Sequence, residues 1–200
     1  MRCDATRAAA KRWRAWLVIA VLSGGTGAIA HAADIAIPAF AMLRAAHVSS
    51  EAVLLDRNGV VLQSLRVDPH KRDIGWIALP DVSPAVAAAL VAGEDRRFFE
   101  HHGVDWSGLV SAAIDSVLRV SKGRAARGGS TLTMQLAALL DPSLGVGCHR
   151  SLVQKWDQAE AALALEKSWN KQTILEAYLN LAAFRGELVG IDAASHALFA

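Results

Sequence analysis

Glu94 and the charged residues behind it form the part of this sequence best suited to acid–base chemistry. Glu94 and Asp95 are adjacent carboxylates, and Arg96 and Arg97 follow them directly. An apolar helical pattern ends just before Glu94, so we expect its carboxylate to lie where core gives way to cleft. Partial burial and a neighbouring like charge bring a carboxyl group toward the range useful to a general base or acid. The alternative is a solvated helix end whose carboxylates pair with the two arginines.

A second candidate site is the cationic, glycine-rich segment that contains Arg124 and Arg127 and continues into Ser130 and Thr131. Either hydroxyl can cap the helix that follows. Free N–H groups at a helix start, the helix dipole and nearby arginines together favour an anion, most naturally phosphate. No Gly-Lys-Ser/Thr closes the segment, so it is not a Walker loop. The alternative is a surface loop with solvated charges.

Composition and motif spacing exclude several other classes of protein. The chain is 53% hydrophobic, which excludes disorder, and its formal charge of +2 is too small to indicate nucleic-acid binding. No HExxH or CxxC spacing occurs, so a transition-metal site is not predicted. Of the two cysteines, Cys3 lies in the leader and Cys148 in the body, which excludes a disulfide within the mature domain.

Residues 1–33 have the layout of a secretory signal. A basic start precedes an apolar stretch from Trp13 to Leu22, and the small-residue box Ala30-His31-Ala32 follows. An uncleaved membrane anchor is the alternative, although the ~20 apolar residues of a span are reached only by counting glycines and His31. In both cases the basic side stays in the cytoplasm and the body is exported.

The elements that must position these residues are a hairpin followed by helices. Two β-type runs, 52–56 and 60–65, are joined by Arg57-Asn58-Gly59, and Asn-Gly is a strong hairpin signal. A weak helical pattern precedes them at 35–48. The predicted helices begin at Ser83-Pro84, at Trp106, after Ser130 or Thr131, at Leu152 and after Asn170. Three apolar faces are predicted: Trp106, Leu109 and Val110 in one helix, Leu152, Trp156, Ala159 and Leu163 in another, and Ile174, Leu175, Tyr178 and Leu179 in a third. The first face could pack in the core or touch a membrane, and core packing is the expectation for a globular helix.

Five motifs occur along the chain in one order. They are Glu94-Asp95-x-x-Phe98-x-x-His101-x-Gly103, Gly128-Gly129-Ser130-Thr131-Leu132-Thr133-Met134-Gln135-Leu136, a weaker segment centred on Lys155, Lys171-x-x-Ile174-Leu175-Glu176-x-Tyr178-Leu179-Asn180, and Gly186-x-x-x-Gly190-Ile191-x-Ala193-Ala194. With these motifs the chain from about Val53 to Ala200 resembles glycosyltransferase family 51, the peptidoglycan transglycosylases, and in particular the penicillin-binding protein 1C branch.

The resemblance implies a mainly α fold, with a lysozyme-like transglycosylase head, a small membrane-facing jaw and a short N-terminal β-hairpin. The implied organisation is a signal peptide or anchor at 1–33, a linker and hairpin segment at 34–82, and the transglycosylase domain at 83–200 with its jaw at about 106–127. The expected location is the cytoplasmic membrane facing the periplasm, or the periplasm if the leader is cleaved. The end of the chain at Ala200 leaves open a short enzyme or a truncated relic of a bifunctional protein.

The reaction implied by the resemblance is polymerisation of lipid II into glycan strands with release of undecaprenyl pyrophosphate. Glu94 would be the general base. Substrate or pyrophosphate binding is expected of Asp95, Phe98, His101, Arg124, Arg127, Ser130, Thr131, Gln135, Lys155 and Gln158. No cofactor is required and no metal site is predicted, while a divalent cation (Mg²⁺ or Mn²⁺) assisting the pyrophosphate stays open. The expected partners are lipid II, the growing strand, the membrane and a separate transpeptidase, with no nucleic acid.

Two positions depart from the family pattern. Gln158 stands where the third motif usually has a glutamate, and Ala138 stands where a lysine usually follows the second motif. The first change removes a carboxylate and the second a phosphate-binding cation. Two alternatives therefore remain beside the enzyme: a catalytically weak or inactive lipid II or glycan-binding module, and a lysozyme-like hydrolase that would also use Glu94.

Overall fold

The computed structural model describes residues 37–111, 129–144 and 152–199. These residues belong to one compact unit that spans Asp34–Ala200. The fold is mainly helical, as predicted. Within the described ranges the helices are α1 (Phe40–Ala46), α2 (Pro84–Glu94), α3 (106–111), α4 (Leu132–Leu140), α5 (Leu152–Ser168), α6 (Lys171–Leu181) and α7 (Gly190–Phe199). The strands are β1 (Glu51–Leu55), β2 (Val61–Arg66), β3 (Ala183–Arg185) and β4 (Leu188–Val189), and short 3₁₀ turns occupy Leu79–Asp81 and Pro142–Leu144.

Local signals set the helix starts, and the predictions for them are confirmed. The hydroxyl of Thr131 accepts the N–H of Met134 and caps α4, and the side chain of Asn170 accepts the N–H of Thr173 and caps α6. Ser83 occupies the capping position of α2 without a side-chain hydrogen bond, and Pro84 supplies the first turn. Helix α2 then runs to Glu94, which is its last residue.

Helix α4 is the centre of the core. Six of its nine residues are buried, because it is apolar on nearly every face. Leu132 and Leu136 of α4 pack with Leu165 of α5 and with Ile174 and Leu179 of α6. Each such side chain contributes about 1.5–3 kcal/mol by leaving water. Helices α4, α5 and α6 are therefore held against one another by a shared core.

The segment between the hairpin and α2 is held against α6 by hydrogen bonds to two polar side chains. The indole N–H of Trp76 and the backbone N–H of Leu79 donate to the two carboxylate oxygens of Glu176, each at 2.9 Å. Asn180 accepts the N–H of Ile77 and donates to the carbonyl of the same residue, both at 2.8 Å. These bonds explain why the fourth motif needs a carboxylate and an amide at this spacing, since each satisfies backbone groups that would otherwise be unpaired.

The predicted hairpin is confirmed. Strands β1 and β2 pair antiparallel, the carboxylate of Asp56 accepts the N–H groups of Asn58 and Val60, and Gly59 has a φ of 81°. Apolar side chains on both faces of this hairpin are exposed. A second antiparallel pair, β3 and β4, turns at Gly186 and forms a single bridge to Arg72.

Two predicted apolar faces differ from the structure. Leu109 packs inward, but Trp106, Val110 and Trp156 are 53%, 61% and 59% exposed. The apolar cluster between α4 and α5 contains Met134, Ala159 and Ala162 instead, and the indole of Trp156 lies outside it. The two tryptophan rings lie 6.3 Å apart at the surface.

The leader at 1–33 and most of the predicted jaw, 112–127, lie outside the described residues. In the ranges that are described, no helix has the length and apolar character required to traverse a bilayer.

Gly103 provides a test of this packing. It has a φ of 84°, and a Cβ there would lie 2.7 Å from the carbonyl oxygen of Ala162. Gly59 has a similar φ, yet a Cβ there would meet nothing within 4 Å. We expect Gly59→Ala to lower the free energy of unfolding by about 1–2 kcal/mol, the cost of the left-handed backbone. Gly103→Ala should cost about 1–3 kcal/mol more because of the added clash. Urea unfolding of the two variants checks this, and equal losses would contradict it.

Candidate active site

Glu94 lies at the surface end of α2, where its side chain is exposed. Its neighbours Arg96 and Arg97 bond elsewhere: Arg96 donates to the carbonyl of Ala92, and Arg97 forms a bidentate pair with Asp105. Burial alone would raise the pKa of Asp105, but hydrogen bonds from Gly108, Ser107 and Arg97 hold it below its ordinary value. Arg96 therefore binds the last turn of α2 and Arg97 the start of α3, and neither is paired with Glu94 in the described residues.

A neutral amide holds Glu94 instead. The Nε2 of Gln135, on α4, donates to Oε2 of Glu94 at 3.2 Å. The hydroxyl of Tyr178, on α6, donates to Oε1 of Gln135 at 3.0 Å. Burial, and then the charge of Glu94, raise the pKa of Tyr178 to about 12. The first, second and fourth motifs thus meet in one chain of hydrogen bonds.

Asp95 points in the opposite direction, into the protein. It is 7% exposed, and its Oδ2 accepts the N–H of Leu132 in the first turn of α4 at 3.0 Å. The Nε2 of His101 lies 3.0 Å from the same oxygen, and His101 Nδ1 is buried without a hydrogen-bond partner among the described residues. A carboxylate at a helix N-terminus satisfies a free N–H and the helix dipole together.

Thr131 also bonds to the first turn of α4. Its hydroxyl donates to the carbonyl of Gly103 and accepts the N–H of Met134. The N–H groups of Leu132 and Met134 are therefore already bonded within the protein. Ser130, one residue earlier, is half-buried. Any anion bound near this segment must accordingly use groups other than these two.

Phe98 is the centre of a second cluster, which includes charged side chains. Phe98 is fully buried, and the ammonium of Lys171 lies 4.4 Å from its ring centroid. Lys171 also pairs with Glu166 at 2.7 Å, and Glu166 accepts the hydroxyl of Thr133 at 2.7 Å. This cluster joins α4, α5 and the start of α6.

The remaining predicted residues lie on α5 or outside the described ranges. Lys155 is half-buried, whereas Gln158 is fully buried and donates to the carbonyl of Leu144 at 2.8 Å. Arg124 and Arg127 belong to the ranges that are not described. The structure thus brings Glu94 and Gln135 together at the surface, and it gathers the other first-motif residues with Thr131 inside the protein.

Sequence reasoning placed Tyr178 in the core and did not connect it with Glu94. The available signal was that Tyr178 is the single tyrosine of the chain, and a buried tyrosine hydroxyl normally requires a partner. The described residues contain no group of three His, Cys, Asp or Glu side chains placed to hold a metal ion. We therefore derive no step through a divalent cation.

The arrangement can carry out proton abstraction: an exposed carboxylate, held by an amide, faces solvent beside a rigid core. Comparison with known proteins identifies the family of the chain. Residues 58–200 match the family described as Transglycosylase. The chain is 38% identical over 124 residues to the biosynthetic peptidoglycan transglycosylase of Acinetobacter baylyi, which covers 62% of this chain and 52% of that protein.

Two further relatives show the same extent of similarity. The protein of the same description from Pasteurella multocida is 36% identical over 124 residues, covering 62% of this chain and 47% of that one. Penicillin-binding protein 2D of Bacillus subtilis is 34% identical over 124 residues, covering 62% of this chain and 17% of that one. The matched region therefore spans about half the length of the two transglycosylases.

Asp95 and Asp141 allow a matched test of how much the buried first turn of α4 depends on its acceptor. Each carboxylate accepts a backbone N–H at an end of α4, Asp95 in the interior and Asp141 at the surface. We expect Asp95→Ala to lower the free energy of unfolding by about 2–3 kcal/mol, because it leaves the buried N–H of Leu132 without an acceptor and removes the carboxylate beside His101. Asp141→Ala should cost less than about 1 kcal/mol. Denaturant unfolding without substrate distinguishes the two variants. An unchanged free energy of unfolding in Asp95→Ala would show that this carboxylate does not hold the first turn of α4 in place.

Proposed function

Because the chain belongs to the transglycosylase family, we propose that it is a peptidoglycan glycosyltransferase that polymerises lipid II, with Glu94 as the general base. The observation that carries the proposal is the hydrogen bond from Gln135 to Glu94. It joins the first two motifs of the family at one exposed carboxylate. A base that must reach a sugar hydroxyl has to be accessible and oriented: Glu94 is exposed, and this contact orients its carboxylate.

In the proposed reaction the carboxylate of Glu94 takes the proton from the 4-hydroxyl of the acceptor sugar. The hydroxyl oxygen forms a bond to the anomeric carbon of the donor sugar, and the bond between that carbon and the pyrophosphate oxygen breaks with its electron pair. Undecaprenyl pyrophosphate leaves, and the strand grows by one unit. The group that accepts the proton and the group that carries away the charge are therefore separate, so each needs its own stabilisation.

Stabilisation of the leaving pyrophosphate is assigned to cations in the glycine-rich segment before the second motif and in the third motif. Arg124, Arg127 and Lys155 are the candidates, with Ser130 as a hydroxyl donor. The N–H groups of Leu132 and Met134 are bonded to Asp95 and Thr131, so they are not part of this proposal. Arginine suits the task because its planar fork binds two phosphate oxygens at once.

The proposal includes the cellular setting. Lipid II and a growing strand would be the substrates, and the membrane would hold the undecaprenyl chain. The body of the protein would act on the periplasmic side, either anchored or released by cleavage within 1–33. A separate transpeptidase would then crosslink the strands.

A second candidate function is a lipid II or glycan-binding module with weak or no turnover. Gln158 favours it because this buried amide, bonded to Leu144, replaces the family's second carboxylate. Ala138 is packed with Ala137, Leu144 and Ala161, where the family has a cation. Saturable lipid II binding by the wild type without polymer, across detergents and divalent ions, would favour this candidate.

The test is polymerisation of labelled lipid II by the purified full-length chain in detergent. We expect Glu94→Gln to reduce the rate of polymer formation and of undecaprenyl pyrophosphate release by at least ~100-fold, the usual contribution of a general base. Glu100→Gln, which alters an exposed carboxylate in the same segment, should retain the wild-type rate. Equal activity of Glu94→Gln and the wild type would refute the proposed base. Release of soluble muropeptides from sacculi, in place of polymer, would indicate a hydrolase.

A further inference from the structure

We propose that Tyr178 is a positioning residue for the base, acting through Gln135 to set the direction in which the Gln135 amide faces Glu94. The expected effect on the reaction rate rests on the proposed function. The hydrogen bonds among Glu94, Gln135 and Tyr178 do not depend on it. The sequence patterns placed Tyr178 among the apolar residues of α6, and neither the family match nor the relatives assign it a role.

The argument begins with the inventory of donors and acceptors. An ionised carboxylate only accepts hydrogen bonds, whereas a glutamine amide has one accepting end and one donating end. Glu94 therefore requires the Nε2 end of Gln135 to face it, as observed at 3.2 Å. The Oε1 end is then turned to Tyr178, whose hydroxyl must donate, also as observed at 3.0 Å.

Without the tyrosine hydroxyl, only the charge of Glu94 orients the amide, because the Oε1 end of Gln135 then has no donor in this trio. If the Gln135 amide rotates by half a turn about its last bond, Oε1 faces the carboxylate of Glu94, and the two oxygens repel each other. Tyr178 opposes this exchange as well, because rotation breaks the hydrogen bond that its O–H donates to Oε1. The hydroxyl thus reinforces one of two orientations for an amide that is itself only half-buried.

The environment of Tyr178 is suited to a permanent donor. The residue is 8% exposed and lies on the core face of α6, so the ring is fixed by its neighbours. Burial and the nearby charge of Glu94 raise the pKa of the hydroxyl to about 12, so the proton is retained through the whole working range of pH. A serine or threonine could also donate, but only a long, rigid side chain carries a hydroxyl from the core to this edge.

The orientation has a consequence for the base itself. Gln135 occupies Oε2 of Glu94, which leaves Oε1 as the oxygen to receive the proton of the acceptor hydroxyl. A fixed Oε2 also fixes the plane of the carboxylate, and so the direction in which Oε1 points. Loss of the orienting hydroxyl should therefore act on the chemical step more than on substrate binding.

The kinetic test is a double-mutant cycle on lipid II polymerisation with the full-length chain. We expect Tyr178→Phe, which keeps the ring and removes the hydroxyl, to lower kcat about three- to tenfold with little change in KM. In the Gln135→Ala background the same change should lower kcat less than about twofold, because the group through which Tyr178 acts is already gone. Equal losses in both backgrounds, or a loss confined to KM, would overturn the proposal.

Asn170→Ala is the matched control on the same helix. It removes the cap of α6 and so weakens the helix, but it leaves the three side chains unchanged. We expect this variant to keep the wild-type kcat at a temperature where it is folded. If it lowers kcat as much as Tyr178→Phe does, general weakening of α6 accounts for both effects and the proposal fails.

A second measurement is independent of turnover. The side-chain amide signal of Gln135, assigned by its absence in Gln135→Ala, can be followed by proton–nitrogen NMR without substrate. Glu94→Gln should shift this signal strongly in the wild type and weakly in Tyr178→Phe. Equal shifts in the two backgrounds would overturn the orienting role. If the wild type makes no polymer, the proposed function fails by itself, while this experiment still supports or overturns the hydrogen-bond chain.

Discussion

The buried first turn of helix α4 is the constraint on which the rest of the described structure depends. The N–H groups of a helix start have no partners within the helix, and in a protein interior each must find an acceptor. Asp95 and Thr131 supply two acceptors, and Thr131 also ties the turn to Gly103. Because Asp95 follows Glu94 directly, this arrangement also determines where α2 ends and which way Glu94 faces. Glu94, the proposed base, is therefore positioned by its buried neighbour without any substrate.

Sequence reasoning succeeded where the signal was local. The hairpin at Asn58-Gly59 and the helix starts at Thr131 and Asn170 each depend on a few adjacent residues, and all were predictable. Glu94 and Gln135 could be named as site residues from their motifs. Their contact could not be predicted, because it is produced by the packing of α2 against α4 through a shared core.

The errors have the same origin. Helical periodicity groups Trp156 with Ala159, but it cannot state how closely a partner helix approaches that face. In the structure Ala159 packs with Met134 of α4, whereas the indole of Trp156 lies at the surface. The resemblance implied substrate or pyrophosphate binding for Asp95; in the structure its buried carboxylate accepts the N–H of Leu132 at a helix start and lies against the imidazole of His101.

The departures from the family pattern are consistent with the packing of this chain. The amide of Gln158 donates to the carbonyl of Leu144, which an ionised glutamate could not do. The holding of Glu94 by a neutral amide has a further physical consequence. Dissolved ions weaken attraction between exposed charges, but they act much less on a hydrogen bond with an uncharged donor. Raising the ionic strength would therefore loosen the Arg97–Asp105 pair while the carboxylate of Glu94 keeps its direction.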